Sequence, residues 1–147
     1  MKFAIIAEIH ANLEAVQPVL GDASEQNCTH YAFLGDFVGY CADPKACLDI
    51  VRGRDAPSVK GNHDEYCAVD LPPDGFDPNA ARAVEWTRRQ LNEDDRARLR
   101  NLPYVRTIEN FTIVHATLEG PERWGYVFDK LAAASSLAQQ NTLAIKS

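Results

Sequence analysis

Hydrophobic positions along the chain fall into short runs, each closed by a polar turn. Lys2 to Ala7 reads as a buried strand, and Asn12 after it is a good N-cap for a helix over Leu13 to Gln26, with Glu14 favourable in the first turn. Pro18 and Gly21 predict that this helix is irregular. His30 to Leu34 is a second apolar run and stops at Gly35-Asp36, after which Asp43-Pro44 supplies an N-cap and first residue for a helix through Val51. A third run, Pro57 to Lys60, stops at Gly61-Asn62-His63-Asp64 and leads into a helix through Val69. Strand, polar turn and helix in repetition predict parallel βαβ units, which would gather the three turns at the carboxyl edge of one sheet.

The second half changes character. Asp77-Pro78 starts a helix through about Leu91, and Asn92-Glu93-Asp94-Asp95 caps another that ends before Pro103. Arg82, Arg88, Arg89, Arg96, Arg98 and Arg100 are interleaved with acids and read as a solvated face. Tyr104 to Ile108 and Phe111 to Val114 alternate like strands about a Glu109-Asn110 turn, and the second delivers His115. Gly120 to Gly125 is a loop in which Trp124, with Tyr126 just beyond, reads as packing. Asp129 to Gln139 is helical, and Thr142 to Ile145 is expected to begin another strand.

With 147 residues, a single domain over 1–147 is expected. A net charge of -6 and a pI near 5.1 argue against an extended nucleic-acid surface, which needs a basic stripe, but leave room for a small phosphorylated substrate held by cations. Cys28, Cys41, Cys47 and Cys67 show no Cys-x-x-Cys spacing, Glu8 interrupts the first apolar run before it resembles a secretory leader, and no stretch reaches the roughly 18 apolar residues of a membrane helix. A cytoplasmic protein with reduced thiols and no membrane partner is expected.

The chemistry gathers at strand ends. Glu8 and His10, two residues apart, would share one face of an extended chain; Asp36, then Asn62 with His63 and Asp64, and finally His115 close the other runs. Carboxylate, imidazole and amide oxygen together suit manganese, iron or zinc rather than a thiolate-bound ion. Two such ions roughly 3.5 to 4 Å apart lower the pKa of a shared water and clamp a phosphoryl oxygen. The plainer readings are hydrogen-bonded structural histidines at positions 10 and 115, turn glycines at 35 and 61, a helix cap at Asn62 and a first-turn acid at Asp64.

Glu8-Ile9-His10-Ala11-Asn12-Leu13-Glu14, Gly35-Asp36-Phe37-Val38-Gly39-Tyr40, Gly61-Asn62-His63-Asp64 and Val114-His115-Ala116 resemble, in order and spacing, the blocks of calcineurin-like metallophosphoesterases. The Phe-Val-Gly-Tyr after Asp36 is similar to the small bacterial and archaeal phosphodiesterase branch rather than to protein serine/threonine phosphatases. The resemblance implies an α/β fold of layered α-β-β-α sandwich type and phosphodiester hydrolysis by a metal-bridging hydroxide. It implies two divalent ions, manganese first and iron, zinc or nickel as alternatives. Glu8, His10 and Asp36 would serve one ion, and Asp36, Asn62 and His115 the other. His63 would protonate the leaving oxygen or stabilise transition-state charge, and Asp64 would hold the His63 ring in the useful tautomer.

Two positions depart from the family pattern. Glu8 stands where the family has aspartate, and no histidine follows His115, whereas the family closes its ligand set with a Gly-His-x-His block. An incomplete second sheet, and a homodimer through its exposed edge, are therefore expected. A non-catalytic binding scaffold on the same fold is the alternative function.

Overall fold

The computed structural model describes residues 1–109 and 111–144. β1 (Phe3–Ile6) and β2 (His30–Phe33) pair in parallel, Phe3 opposite His30 through Ile6 opposite Phe33, and α1 (Leu13–Glu25) is the crossover between them. Asn12 caps α1 through its side chain, which accepts the Ala15 N–H at 3.0 Å. Val16, Leu20 and Ala23 form its buried stripe. α1 runs unbroken past Pro18, which lies on the exposed face, where water can satisfy the carbonyl its ring leaves unpaired.

The third predicted strand, Pro57 to Lys60, is reduced to one parallel bridge between Phe33 and Ser58. Phe33 N–H donates to the Pro57 carbonyl and Val59 N–H to the Phe33 carbonyl, but the next donor on that side, Gly61 N–H, turns to Asp64 Oδ2 at 3.0 Å and the Gly35 carbonyl takes Glu8 N–H instead, so the ladder stops there. α2 (Pro44–Gly53) lies between β2 and this bridge in sequence, and α3 (Asn62–Ala68) follows it, with Gly61 rather than Asn62 at the cap position. α4 (Pro78–Gln90) and α5 (Glu93–Asn101) complete the helices before a hairpin of β3 (Val105–Ile108) and β4 (Phe111–Val114), paired antiparallel with Val105 opposite Val114. The expected turn residue Asn110 lies outside the described residues.

Alternation along the first sheet divides the core in two. Ile6 and Phe33 join Val16, Leu20, Val51, Val84 and Leu99 on the helical side. Ala32 and Val59 instead meet Ile108 and Ile113 of the hairpin, with Phe3 and Phe111 at the margin, their rings 5.1 Å apart edge to face. Helices, first sheet and second sheet therefore stack as successive layers, a mixed α/β fold with two small sheets and six α-helices among the described residues. α6 (Lys130–Ala144) is a helix through Thr142–Ala144, where a strand was expected, and Ile145 lies outside the described residues.

Three of the arginines are not a solvated face. Arg88 Nε donates to the Tyr66 carbonyl at 2.8 Å, Arg96 Nε to the Ala68 carbonyl at 3.3 Å and Arg100 Nη1 to the same carbonyl at 2.8 Å. They close the C-terminal end of α3 with guanidinium groups from α4 and α5, which complements the helix dipole and holds the block that opens with Asn62 and His63. Among the described residues no helix is long and apolar enough to cross a membrane.

Candidate metal centre

β1 ends at Ile6, and the chain then abandons extended geometry: Glu8, His10 and Ala11 all take left-handed backbone angles, with φ of 57°, 47° and 57°. Glu8 and His10 do meet, His10 Nε2 lying 3.0 Å from Glu8 Oε2, but through this curled loop rather than through the alternation of a strand. Left-handed geometry costs a residue with a Cβ roughly 1 to 2 kcal/mol. The loop is held by the segment after β2: Glu8, His10 and Ala11 donate their N–H groups to the carbonyls of Gly35, Asp36 and Phe37 at 3.3, 2.8 and 2.8 Å. Asp36 is itself left-handed, with φ of 53°.

His10 and His115 are prepared alike although they come from opposite ends of the chain. His10 Nδ1 lies 3.2 Å from the Val38 carbonyl and His115 Nδ1 2.7 Å from the Leu34 carbonyl. A carbonyl can only accept, so both Nδ1 atoms carry the hydrogen in the neutral rings, and both Nε2 atoms present lone pairs. These point toward one atom, Asp36 Oδ2, at 3.5 Å from His10 and 3.6 Å from His115. Asn62 Oδ1 lies 3.2 Å from His115 Nε2, and the two Glu8 oxygens straddle the rings, Oε2 near His10 and Oε1 3.8 Å from His115 Nδ1. The additional methylene of Glu8 gives it that reach. Lone pairs converging in this way repel unless a proton or a cation sits among them, and carboxylate, imidazole and amide donors together fit a metal.

Asp36 is common to two potential ligand groups. The ligating atoms of Glu8, Asp36 and His115 lie within 4.8 Å of one another, as do those of His10, Asp36 and His63. Glu8 thus groups with His115 as well as with His10, and His63 joins His10 and Asp36 in the second group.

Asp64 does not hold the His63 ring, contrary to expectation. Its Oδ2 accepts the N–H groups of Asp36 at 2.7 Å and Gly61 at 3.0 Å, and its Oδ1 those of Phe37 at 2.8 Å and Val38 at 3.3 Å. His63 Nδ1 is buried without a hydrogen-bond partner. Asp64 instead fastens the turn that presents Asp36 to the start of α3, and Asp36 Oδ1 returns the link by accepting the His63 N–H at 3.0 Å. A Cβ on Gly61 would lie 2.0 Å from Asp36 Oδ1, so only glycine lets the two turns come this close.

Burial and mutual repulsion set the charges. Desolvation, with Glu8 nearby, pushes the Asp36 carboxyl up to about 7; desolvation and the Asp36 charge push Asp64 up to about 7. A proton on Asp64 would face four N–H donors, so a proton taken up by the pair resides on Asp36. Bound cations reverse this, favouring the carboxylate. Desolvation, then His10 and His115, lowers His63 to about 4, leaving it a neutral imidazole near neutral pH.

A cleft of about 240 Å³ opens over these groups, lined by Glu8, His10, Asp36, Asn62, His63 and His115 and walled by Tyr40, Trp124 and Tyr126. Trp124 packs on Tyr104 at 5.5 Å, as expected, and also faces the cleft. Tyr126 stacks on Phe128 with ring centroids 5.4 Å apart and stays largely exposed at the cleft. Tyr40 has no sequence-based role; its ring lies 4.8 Å from His10 and 4.5 Å from His63. Its position after Gly39 in the block that begins at Gly35-Asp36 is the signal that could have marked it.

Comparison with known proteins places this geometry. The calcineurin-like phosphoesterase family model matches residues 1–136. An uncharacterized protein of Methanocaldococcus jannaschii is 34% identical over 129 residues, 85% of this chain and 53% of that protein. A metallophosphoesterase from Sphaerobacter thermophilus superposes with a TM-score of 0.80 at 36% identity, over 94% of this chain and 56% of its own. A protein of Pyrococcus horikoshii shares the fold at a TM-score of 0.66 and 20% identity, over 81% and 56%. The chain spans about half the length of these relatives. With that match over nearly its whole length and the converging donors of Glu8, His10, Asp36, Asn62 and His115, the chain belongs to the calcineurin-like phosphoesterase family.

Proposed function

We propose that this chain carries a two-metal phosphodiesterase site acting on a small phosphorylated substrate, with manganese as the first candidate ion. The observation that carries the reading is Asp36: one buried carboxylate belongs to both ligand groups, and its Oδ2 faces the lone pairs of His10 and His115. A carboxylate has enough lone-pair directions to serve two cations, whereas Asn62 adds one neutral oxygen. When bound, the ions supply an acidified water and a clamp on phosphoryl oxygens.

The chain's own residues do the rest. Glu8, His10, Asn62 and His115 complete the ligand sets around Asp36, with both imidazoles locked in one tautomer by the Val38 and Leu34 carbonyls. His63 lines the cleft and, being neutral, contributes an N–H to an oxygen of the reacting phosphoryl group rather than a full positive charge. Asp64 is a positioning residue for Asp36. Trp124 and Tyr126 limit access of water and the body of the substrate from one side.

Manganese-dependent hydrolysis of bis(4-nitrophenyl) phosphate tests the reading. Asp36→Asn is expected to abolish it, and turnover indifferent to that change would refute the site. Calorimetric titration separates the scaffold alternative: two manganese sites support the enzyme, and the absence of any tight site supports a scaffold.

A further inference from the structure

A second concavity, sharing no residue with the metal cleft, lies between α2, α5 and the start of β3 and encloses about 350 Å³. Its apolar surface comes from the half-buried Leu48, Ala56 and Leu102 over a floor of buried Phe37 and Leu99, and three exposed arginines line it: Arg52 from the last turn of α2, Arg98 from α5 and Arg106 from β3. Arg98 stands apart from its neighbours because residues two apart on a helix diverge by roughly 200°, so Arg96 and Arg100 turn to α3 while Arg98 turns to the groove.

The charge balance there is the informative feature. Among the described residues, none of the three arginines makes a side-chain hydrogen bond or ion pair. The acids beside them are mostly taken: Asp49 and Asp95 both pair with Lys45, and Asp95 accepts the Asn92 N–H in the α5 capping box. Asp55 alone is uncommitted. In a chain of net charge -6, three unpaired guanidiniums on separate elements around one apolar hollow form a local excess of donors.

We infer that this groove is a binding site for an organic phosphate, its phosphoryl oxygens meeting Arg52, Arg98 and Arg106 and its apolar body resting on Leu48, Ala56 and Leu102. Guanidiniums arriving from three elements suit a tetrahedral group with three or more acceptor oxygens better than a two-oxygen carboxylate. The volume is that of a small-ligand pocket. The groove is independent of the metals, yet its floor includes Phe37, whose backbone follows Asp36 directly.

The test uses metal-stripped protein in chelator, where the carboxylates of the metal cleft repel phosphates. Titration with 1-naphthyl phosphate by calorimetry is expected to show saturable binding, weakened about tenfold by Arg98→Gln and lost in the Arg52→Gln/Arg98→Gln/Arg106→Gln variant. Inorganic phosphate, lacking the apolar body, is expected to bind more weakly, and Tyr126→Ser in the metal cleft to leave the affinity unchanged. The inference is overturned by no saturable binding, by an affinity indifferent to all three arginines, or by an equal loss in Tyr126→Ser. Far-UV circular dichroism checks that the triple variant is folded; should it unfold, the three single variants decide by the same criterion.

Discussion

Replacing Asp64 by asparagine removes the acceptor that fastens the Asp36 turn. The carboxylate is fully buried and receives four backbone N–H groups, two on each oxygen. Asparagine keeps one oxygen and sets an NH₂ against the other two donors. Two charge-assisted bonds are lost, at about 1.5 to 3 kcal/mol each, or about 3 to 6 kcal/mol together. Relief of the repulsion between Asp64 and Asp36 draws the result toward about 3 kcal/mol, which in a chain of this size lowers Tm by about 6 to 12 °C. Thermal unfolding measures the loss, and amide hydrogen exchange locates it: the N–H groups of Asp36, Phe37, Val38 and Gly61 should lose protection in Asp64→Asn but keep it in His63→Gln. Were Asp64 instead the partner of the His63 ring, Asp64→Asn would melt within a degree or two of the parent and those amides would stay protected. That outcome refutes the clamp.

Other consequences can be checked in parallel. Gly39 has φ of +89°, and a Cβ there would lie 2.5 Å from His63 Nδ1, so Gly39→Ala should displace the His63 ring and lower kcat while leaving manganese affinity within a few-fold, as kinetics and calorimetry would show. Burial pushes the Cys47 thiol up to about 11 and Cys67 up to about 12; iodoacetamide at pH 8 should therefore label exposed Cys41 and leave both unmodified until the chain unfolds, by mass spectrometry. His63 falls from 6.5 to about 4 in the metal-free fold, so the unfolded chain binds more protons between those values and His63 contributes stability that grows as pH rises through that window. The stability advantage of the parent over His63→Gln in chelator should increase by about 3 kcal/mol from pH 4 to 6.5, and denaturant unfolding showing a flat difference would contradict it.

The strand ends were legible in the sequence because each apolar run is short and each is closed by glycine or a polar ligand: Ile6, Phe33 and Val114 end β1, β2 and β4 within a residue of where periodicity places them. The resemblance supplied the grouping of Glu8, His10, Asp36, Asn62 and His115, and the fold brings all five to one cleft. What escaped depends on contacts distant in sequence. No local pattern tells Asp64 to serve the amides of residues 36 to 38 rather than its neighbour His63, since both are open to a carboxylate at the start of a helix. Pro57 to Lys60 looks like a full strand, and what shortens it is the Asp64 carboxylate drawing off Gly61 N–H while Glu8 takes the Gly35 carbonyl. Arg88, Arg96 and Arg100 alternate with acids like a solvated surface, and their targets are carbonyls of another helix.

The left-handed residues in the loops after β1 and β2 carry a consequence for how the molecule forms. Glu8, His10, Ala11 and Asp36 hold conformations that an unfolded chain visits only briefly, and each is kept in place by a backbone bond across to the other loop. Neither loop can mature alone. The parallel strands must first align, as Leu34 N–H reaching the Ile6 carbonyl at 2.8 Å requires, before the two loops can brace each other. An ion added to the unfolded chain therefore finds scattered ligands and no template, and metal is expected to arrive late in folding, as a guest of a finished sheet rather than its nucleus.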